Sequence, residues 1–106
     1  VYIMTETDIM NLIRVKLSEI GLTVFRANVG KIKLSDGRWF DTGLPKGFSD
    51  LFAVKDGKAY FIEVKKPGGT VSPEQINFID QMQKRGCVAG IAHSPEEAIE
   101  IVNGRT

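Results

Sequence analysis

Apolar positions near the start of the chain recur at helical spacing. Ile9, Met10, Leu12, Ile13, Leu17 and Ile20 follow a helix cap at Thr5 with Asp8 three residues on, and Gly21 stops the run. Leu22 to Val29 is rich in β-branched and aromatic residues and predicts a strand. Lys31–Leu34 and Arg38–Asp41 flank Ser35-Asp36-Gly37, which predicts an inserted hairpin, and Gly43 to Gly47 predicts an irregular loop. Asp50–Lys55 and Lys58–Lys65 predict two strands around a tight Asp56-Gly57 turn. Ser72-Pro73-Glu74-Gln75 opens a helix with a cap, a first-position proline and a capping box, and that helix runs to Arg85. Cys87–Ala92 predicts a short buried strand. Ser94-Pro95-Glu96-Glu97 repeats the start signal for a last helix that fades by Gly104.

The predicted order is α-β-β-β-α-β-α, with the hairpin inserted after the first strand. The length of 106 residues suits one domain over 1–106 with one core. Met4 is a candidate native start behind Val1-Tyr2-Ile3. No apolar run approaches the roughly 20 residues that cross a bilayer, so no membrane partner is expected. One cysteine, Cys87, excludes an internal disulfide and suits a reducing cytosol. One histidine, His93, excludes multi-Cys/His zinc sites and any mechanism needing two histidines. The net charge of +1 does not advertise nucleic-acid binding, so such a surface has to be local. Basic residues do cluster, at Lys31, Lys33 and Arg38, then Lys46, Lys65 and Lys66, and Lys84 with Arg85. Glu96, Glu97 and Glu100 form an acidic group.

The Asp56-Gly57 turn changes the picture most. A two-residue type I′ loop pairs Lys55 with Lys58. Continued down the ladder, that register sets Asp50 directly across from Glu63, with Cβ atoms about 4.5–5.5 Å apart. Two carboxylates so placed repel, and a divalent cation between them turns the repulsion into a ligand set. A three-residue loop would shift the register by one. Lys65 shares the face of Glu63, whereas Tyr60, Ile62 and Val64 point the other way. A face that is apolar at Phe61 and ionic at Glu63 and Lys65 suits a site at a sheet end.

Helix phase adds two residues. Glu6 lies in the middle of the Ile9–Met10–Ile13–Leu17 stripe, and Gln75 takes the same place amid Phe78, Ile79 and Met82. Each must find a partner or cost about 1–3 kcal/mol. Plainer readings exist for every residue. Asp50 and Glu63 pair with Lys65 and Lys46 as surface ions. Glu6 serves the helix dipole. Gln75 only caps, His93 is structural, and Cys87 belongs to the core. Trp39 packs the inserted hairpin, with stacking on a base as the alternative. The convergence of several polar groups on one place weighs against reading each one so.

Asp50 followed by Glu63-Val64-Lys65 resembles the PD-(D/E)xK nuclease signature. Gly47-Phe48-Ser49-Asp50 and Ser72-Pro73-Glu74-Gln75 closing on Phe78 resemble the virus-type replication-repair nuclease (VRR-NUC) domain within that superfamily. The likeness runs from Glu6 to Ala92, and Ser49 stands where the nominal motif has proline. It implies an α/β fold: a restriction-endonuclease-like αβββαβ core with a mixed central sheet flanked by helices, an inserted β-hairpin and a C-terminal helix. It implies Mg²⁺ or Mn²⁺ on Asp50, Glu63 and the Val64 carbonyl, with Glu6 completing the set. Lys65 would orient the attacking water or neutralise charge, and Gln75 would support Lys65 or the phosphate. Beside two acids Lys65 should stay cationic, which argues against a simple general base.

The same resemblance implies a cytoplasmic enzyme of a bacterial or phage-infected cell that acts on DNA without a small-molecule cofactor. A homodimer cutting four-way junctions is expected, with Arg26, Asn28, Lys31, Lys33, Lys46 and Lys66 as phosphate contacts. The alternatives are a flap- or sequence-specific nuclease of the superfamily, a non-catalytic nucleic-acid-binding module on the same fold, and a plain structural domain.

Overall fold

The computed structural model describes residues 3–104; Val1 and Tyr2, ahead of the candidate start, lie outside the described residues. The elements are α1 (Glu6–Glu19), β1 (Thr23–Arg26), β2 (Lys31–Lys33), β3 (Trp39–Asp41), β4 (Leu51–Lys55), β5 (Lys58–Val64), α2 (Pro73–Lys84), β6 (Val88–Ala92) and α3 (Pro95–Val102). This is the order expected from the sequence, with β2 and β3 forming their own two-stranded sheet. The main sheet runs β1-β4-β5-β6. Its β1/β4 and β4/β5 pairs are antiparallel and β5/β6 is parallel. A mixed sheet flanked by helices is the fold that the resemblance implied.

Strand alternation sorts the core into two layers. Tyr60, Ile62 and Val64 of β5 pack with Leu51 and Ala53 against Ile9, Met10, Ile13 and Leu17 of α1 and Ala98 and Ile101 of α3. Phe61 faces the other way, onto Ile79, Phe78 and Met82 of α2, with Phe48 and Phe52 completing the layer. As a central strand covered on both faces, β5 is buried from Tyr60 to Val64.

Local signals set the ends of the elements. Thr5 and Asp8 close a reciprocal capping box on α1, and Ser72 and Gln75 do the same on α2. Ser94 caps α3 through Glu97 N–H, but the Glu97 carboxylate turns to His93, accepting from its backbone N–H at 3.0 Å and meeting its ring Nδ1 at 2.8 Å. Those contacts hold Glu97 below the usual carboxylate range.

Two expectations are corrected. The first strand is shorter than Leu22–Val29: it covers Thr23–Arg26, the residues paired with Leu51–Val54 of β4, and one further bond in the same register, Ala27 N–H to the Asp50 carbonyl, follows its end. Leu12 and Ile20 are exposed rather than core. Leu12 sits off the buried stripe by about one residue's rotation of 100°, and Ile20 is the C-cap. Trp39 does sit on the inserted hairpin as expected, 64% exposed and with Lys33 Nζ 5.9 Å from its ring centre.

Candidate active site

The site grows from the β4–β5 turn. Asp56 and Gly57 have φ of 52° and 76°, the positive values a type I′ turn needs. Lys55 therefore pairs with Lys58, and the ladder runs in register to Leu51 opposite Ile62. Continued one step beyond that last pair, the register sets Asp50, just ahead of β4, opposite Glu63 near the end of β5. The Asp50 side chain is held there by the neighbour of Glu63, its Oδ2 accepting from the Val64 N–H at 2.8 Å.

Glu63 is 1% exposed and, with Ser49, makes up the buried polar set of the described residues. Its floor is aromatic: Phe61 stacks among Phe48, Phe52 and Phe78 with ring centroids 5.2–5.8 Å away. Oε2 accepts from Gln75 Nε2 at 3.2 Å and lies 3.9 Å from Lys65 Nζ. Oε1 has no hydrogen-bond partner among the described residues. Burial pushes the Glu63 carboxyl up to about 9, and the neighbouring Asp50 carboxylate pushes the same way. Lys65 pulls down but loses to the desolvation, and Glu6 adds further repulsion.

The two helices reach this point from opposite faces of the sheet. Gln75 does two jobs at once: its Oε1 accepts from Ser72 N–H at 2.9 Å to complete the cap, and its Nε2 holds Glu63. Glu6, at the first turn of α1, accepts from Lys66 N–H at 3.4 Å. Glu6, Thr7, Met10, Arg26, Asp50 and Val64 line a small cavity of about 100 Å³ at the sheet end.

Asp50, Glu63, Val64, Lys65 and Gln75 thus meet at one end of β5, with Glu6 on the rim. The partner of Gln75 is Glu63, not Lys65. Of the expected phosphate contacts, Arg26 lines the cavity and Lys66 adjoins it through its backbone. Lys46 is paired with Glu74 at 3.2 Å, a hydrogen bond that holds Glu74 below the usual range. Asn28 is exposed between β1 and β2, and Lys31 and Lys33 are exposed on the separate hairpin.

Sequence reading missed two features. Gly47, at φ 94°, lies so close to α2 that a Cβ would sit 2.4 Å from the Glu74 carbonyl oxygen. It seats the helix start that carries Gln75; the sequence marked it as a loop residue and as part of the Gly47-Phe48-Ser49-Asp50 motif, but not as this close approach. Ser49, next to Asp50, is fully buried with an unpartnered Oγ, and no sequence signal pointed to that.

A profile of the VRR-NUC domain matches residues 6–96. The chain belongs to the VRR-NUC family. A solved structure titled as a VRR_NUC domain is similar over 95% of this chain and 97% of its own, with a TM-score of 0.64 and 21% identity, which speaks for the fold. No curated protein matches. VRR-NUC is a nuclease-type domain family, and the Asp50…Glu63-Val64-Lys65 constellation lies within the matched span.

Whether a divalent cation fits rests on Glu63. No group of three His, Cys, Asp or Glu side chains among the described residues stands ready as a metal cluster. Mg²⁺ needs no such cage, because it is usually held by one or two carboxylates and keeps several waters. The donors here are hard oxygens, and Glu63 Oε1 is a buried acceptor with nothing to accept from. The residues fit Mg²⁺ or Mn²⁺ on Asp50, Glu63 and the Val64 carbonyl.

Proposed function

We propose that this VRR-NUC protein is a Mg²⁺- or Mn²⁺-dependent endonuclease that hydrolyses DNA phosphodiester bonds at branched structures, working as a homodimer. The observation that carries the reading is the buried Glu63 carboxyl facing Asp50 with Oε1 unpartnered. Such a group is costly in an apolar wall unless it holds a proton or a cation.

Asp50, Glu63 and the Val64 carbonyl would hold the ion, with Glu6 reaching it directly or through water. The chemistry such an ion supplies is activation of water and neutralisation of charge building on the phosphate. Glu63 would serve as a ligand in its carboxylate form, which Gln75 Nε2, donating to Oε2 at 3.2 Å, holds in place. Asp50 stays aimed because Val64 N–H holds its Oδ2. Lys65 Nζ, 3.9 Å from Glu63, positions the attacking water and offsets phosphate charge. Arg26 lines the cavity and Lys66 adjoins it through its backbone bond to Glu6, and both suit phosphate contact.

A four-way junction presents two symmetry-related cuts, and a two-fold dimer supplies two matching sites. The test is cleavage of labelled four-way, flap and linear duplex DNA side by side with Mg²⁺ or Mn²⁺, using Lys65→Ala as control. Cuts near the branch by the wild type alone are expected. No cleavage of any DNA form by folded protein would overturn the reading, and sedimentation showing only monomer at active concentrations would remove the dimer.

A further inference from the structure

The β2–β3 hairpin stands apart from both hydrophobic layers. Every residue of its strands is exposed, and the main packing partner of each strand is the other. Its register pairs Lys31 with Asp41, Ile32 with Phe40 and Lys33 with Trp39. Alternation therefore puts Lys31, Lys33 and Trp39 on one face. Lys33 Nζ sits 5.9 Å from the centre of the Trp39 ring, and Asp41, on the same face, is turned to Gly43 N–H at 2.9 Å.

The hairpin is also spliced into the rim of the site. The chain entering it leaves β1 at Arg26, which lines the cavity, and Ala27 N–H donates to the Asp50 carbonyl at 2.8 Å. The chain leaving it reaches Gly47, wedged against the first turn of α2. Thr42 N–H to the Gly30 carbonyl, 2.9 Å, closes its base. The arm is thus anchored on both sides of the Asp50–Glu63 pair.

The geometry points to this arm as a stacking platform for an unpaired base of a DNA strand entering the site: Trp39 takes the base, and Lys31 and Lys33 take the neighbouring phosphates. An exposed indole flanked by cations has the chemistry by which proteins hold unstacked nucleotides without reading sequence. A fully paired duplex hides its base faces, so the platform favours DNA with a flap, gap or open branch. The choice of DNA as occupant rests on the nuclease reading.

The chain has one tryptophan, so its emission reports on this arm alone. The wild type is titrated, with chelator present and no cleavage possible, with a duplex carrying a single-stranded flap and with its fully paired counterpart. Binding is followed in parallel through a label on the DNA. Quenching of Trp39 is expected with the flap DNA and much less with the paired duplex. Trp39→Ala should weaken flap binding by about 10-fold or more, and Trp39→Phe should restore most of it. Lys31→Ala and Lys33→Ala should each lower the salt slope of binding by about 0.7. Unchanged emission at saturating flap DNA would overturn the inference even if the protein cleaves DNA. So would emission that follows protein concentration alone, which would mean a second copy covers the arm. Quenching without any cleavage would sink the nuclease reading and leave the platform standing.

Discussion

Gln75 ties the start of α2 to the buried acid of β5: its Nε2 donates to Glu63 Oε2 at 3.2 Å while its Oε1 closes the cap on Ser72. Fold and site share one side chain, and substitution can separate the two roles. Gln75→Glu keeps a capping-box residue at the same helix position but removes the donor and adds a negative charge beside Glu63. Its melting temperature should stay near the wild type's while single-turnover cleavage falls by about 10-fold or more. Gln75→Ala should lose both, with about 1 kcal/mol of stability. Equal loss of stability in the two variants would contradict the division.

Glu63 makes the stability of the metal-free protein depend on pH. Its carboxyl is raised from 4.5 to about 9, by burial first and then by the neighbouring Asp50 carboxylate. The folded chain therefore keeps a proton that the unfolded chain gives up. That contribution is complete below about pH 4.5 and is lost as the pH climbs to about 9. With chelator present, the melting temperature should decline on the alkaline side of this window, and Glu63→Gln should flatten the decline. Mn²⁺ affinity should rise with pH over the same range, because binding releases the proton. A calorimetric affinity indifferent to pH would contradict this.

Lys65 is argued to act on water and phosphate rather than on the metal. Lys65→Ala should slow cleavage by about 100-fold or more yet leave Mn²⁺ binding undiminished, since it removes a cation 3.9 Å from Glu63. Calorimetry beside single-turnover rates checks both. Parallel loss of metal binding and cleavage would assign Lys65 a structural role.

Gly47 should be intolerant where Gly57 is not. Both have positive φ, but a Cβ on Gly47 meets the Glu74 carbonyl oxygen at 2.4 Å, whereas one on Gly57 meets nothing within 4 Å. Gly57→Ala should cost about 1 kcal/mol of backbone strain and leave cleavage intact. Gly47→Ala should cost more in denaturant unfolding and also slow cleavage, because it shifts the turn that carries Gln75. Similar effects from both would show that backbone strain alone matters at Gly47.

Much of this arrangement was legible because the deciding signals are local. Asp56-Gly57 sets a turn within two residues, and the turn fixes the register that brings Asp50 opposite Glu63. Thr5/Asp8 and Ser72/Gln75 cap their helices within one turn each. Helix phase placed Glu6 and Gln75 on inward faces. What each then bonds was not legible: Gln75 finds Glu63, and Glu6 finds the backbone of Lys66, through sheet and helix packing that no local pattern encodes. The length of β1 has the same origin, since it is set by the residues of β4 available to pair with it rather than by its own composition. Trp39 was placed on the inserted hairpin from sequence, but its exposure of 64% was not legible, because it depends on how the hairpin stands against the rest of the fold.

The most direct test of the central claim is the single-turnover rate of branched-DNA cleavage measured against Mn²⁺ concentration for the wild type and Glu63→Gln, which keeps the side chain's shape and removes its charge. A saturable, chelator-sensitive rate in the wild type is expected, with Glu63→Gln folded, DNA-binding and inactive at every Mn²⁺ concentration. Cleavage by Glu63→Gln at the wild-type rate, or cleavage by the wild type in excess chelator, would contradict a metal site built on Asp50 and Glu63.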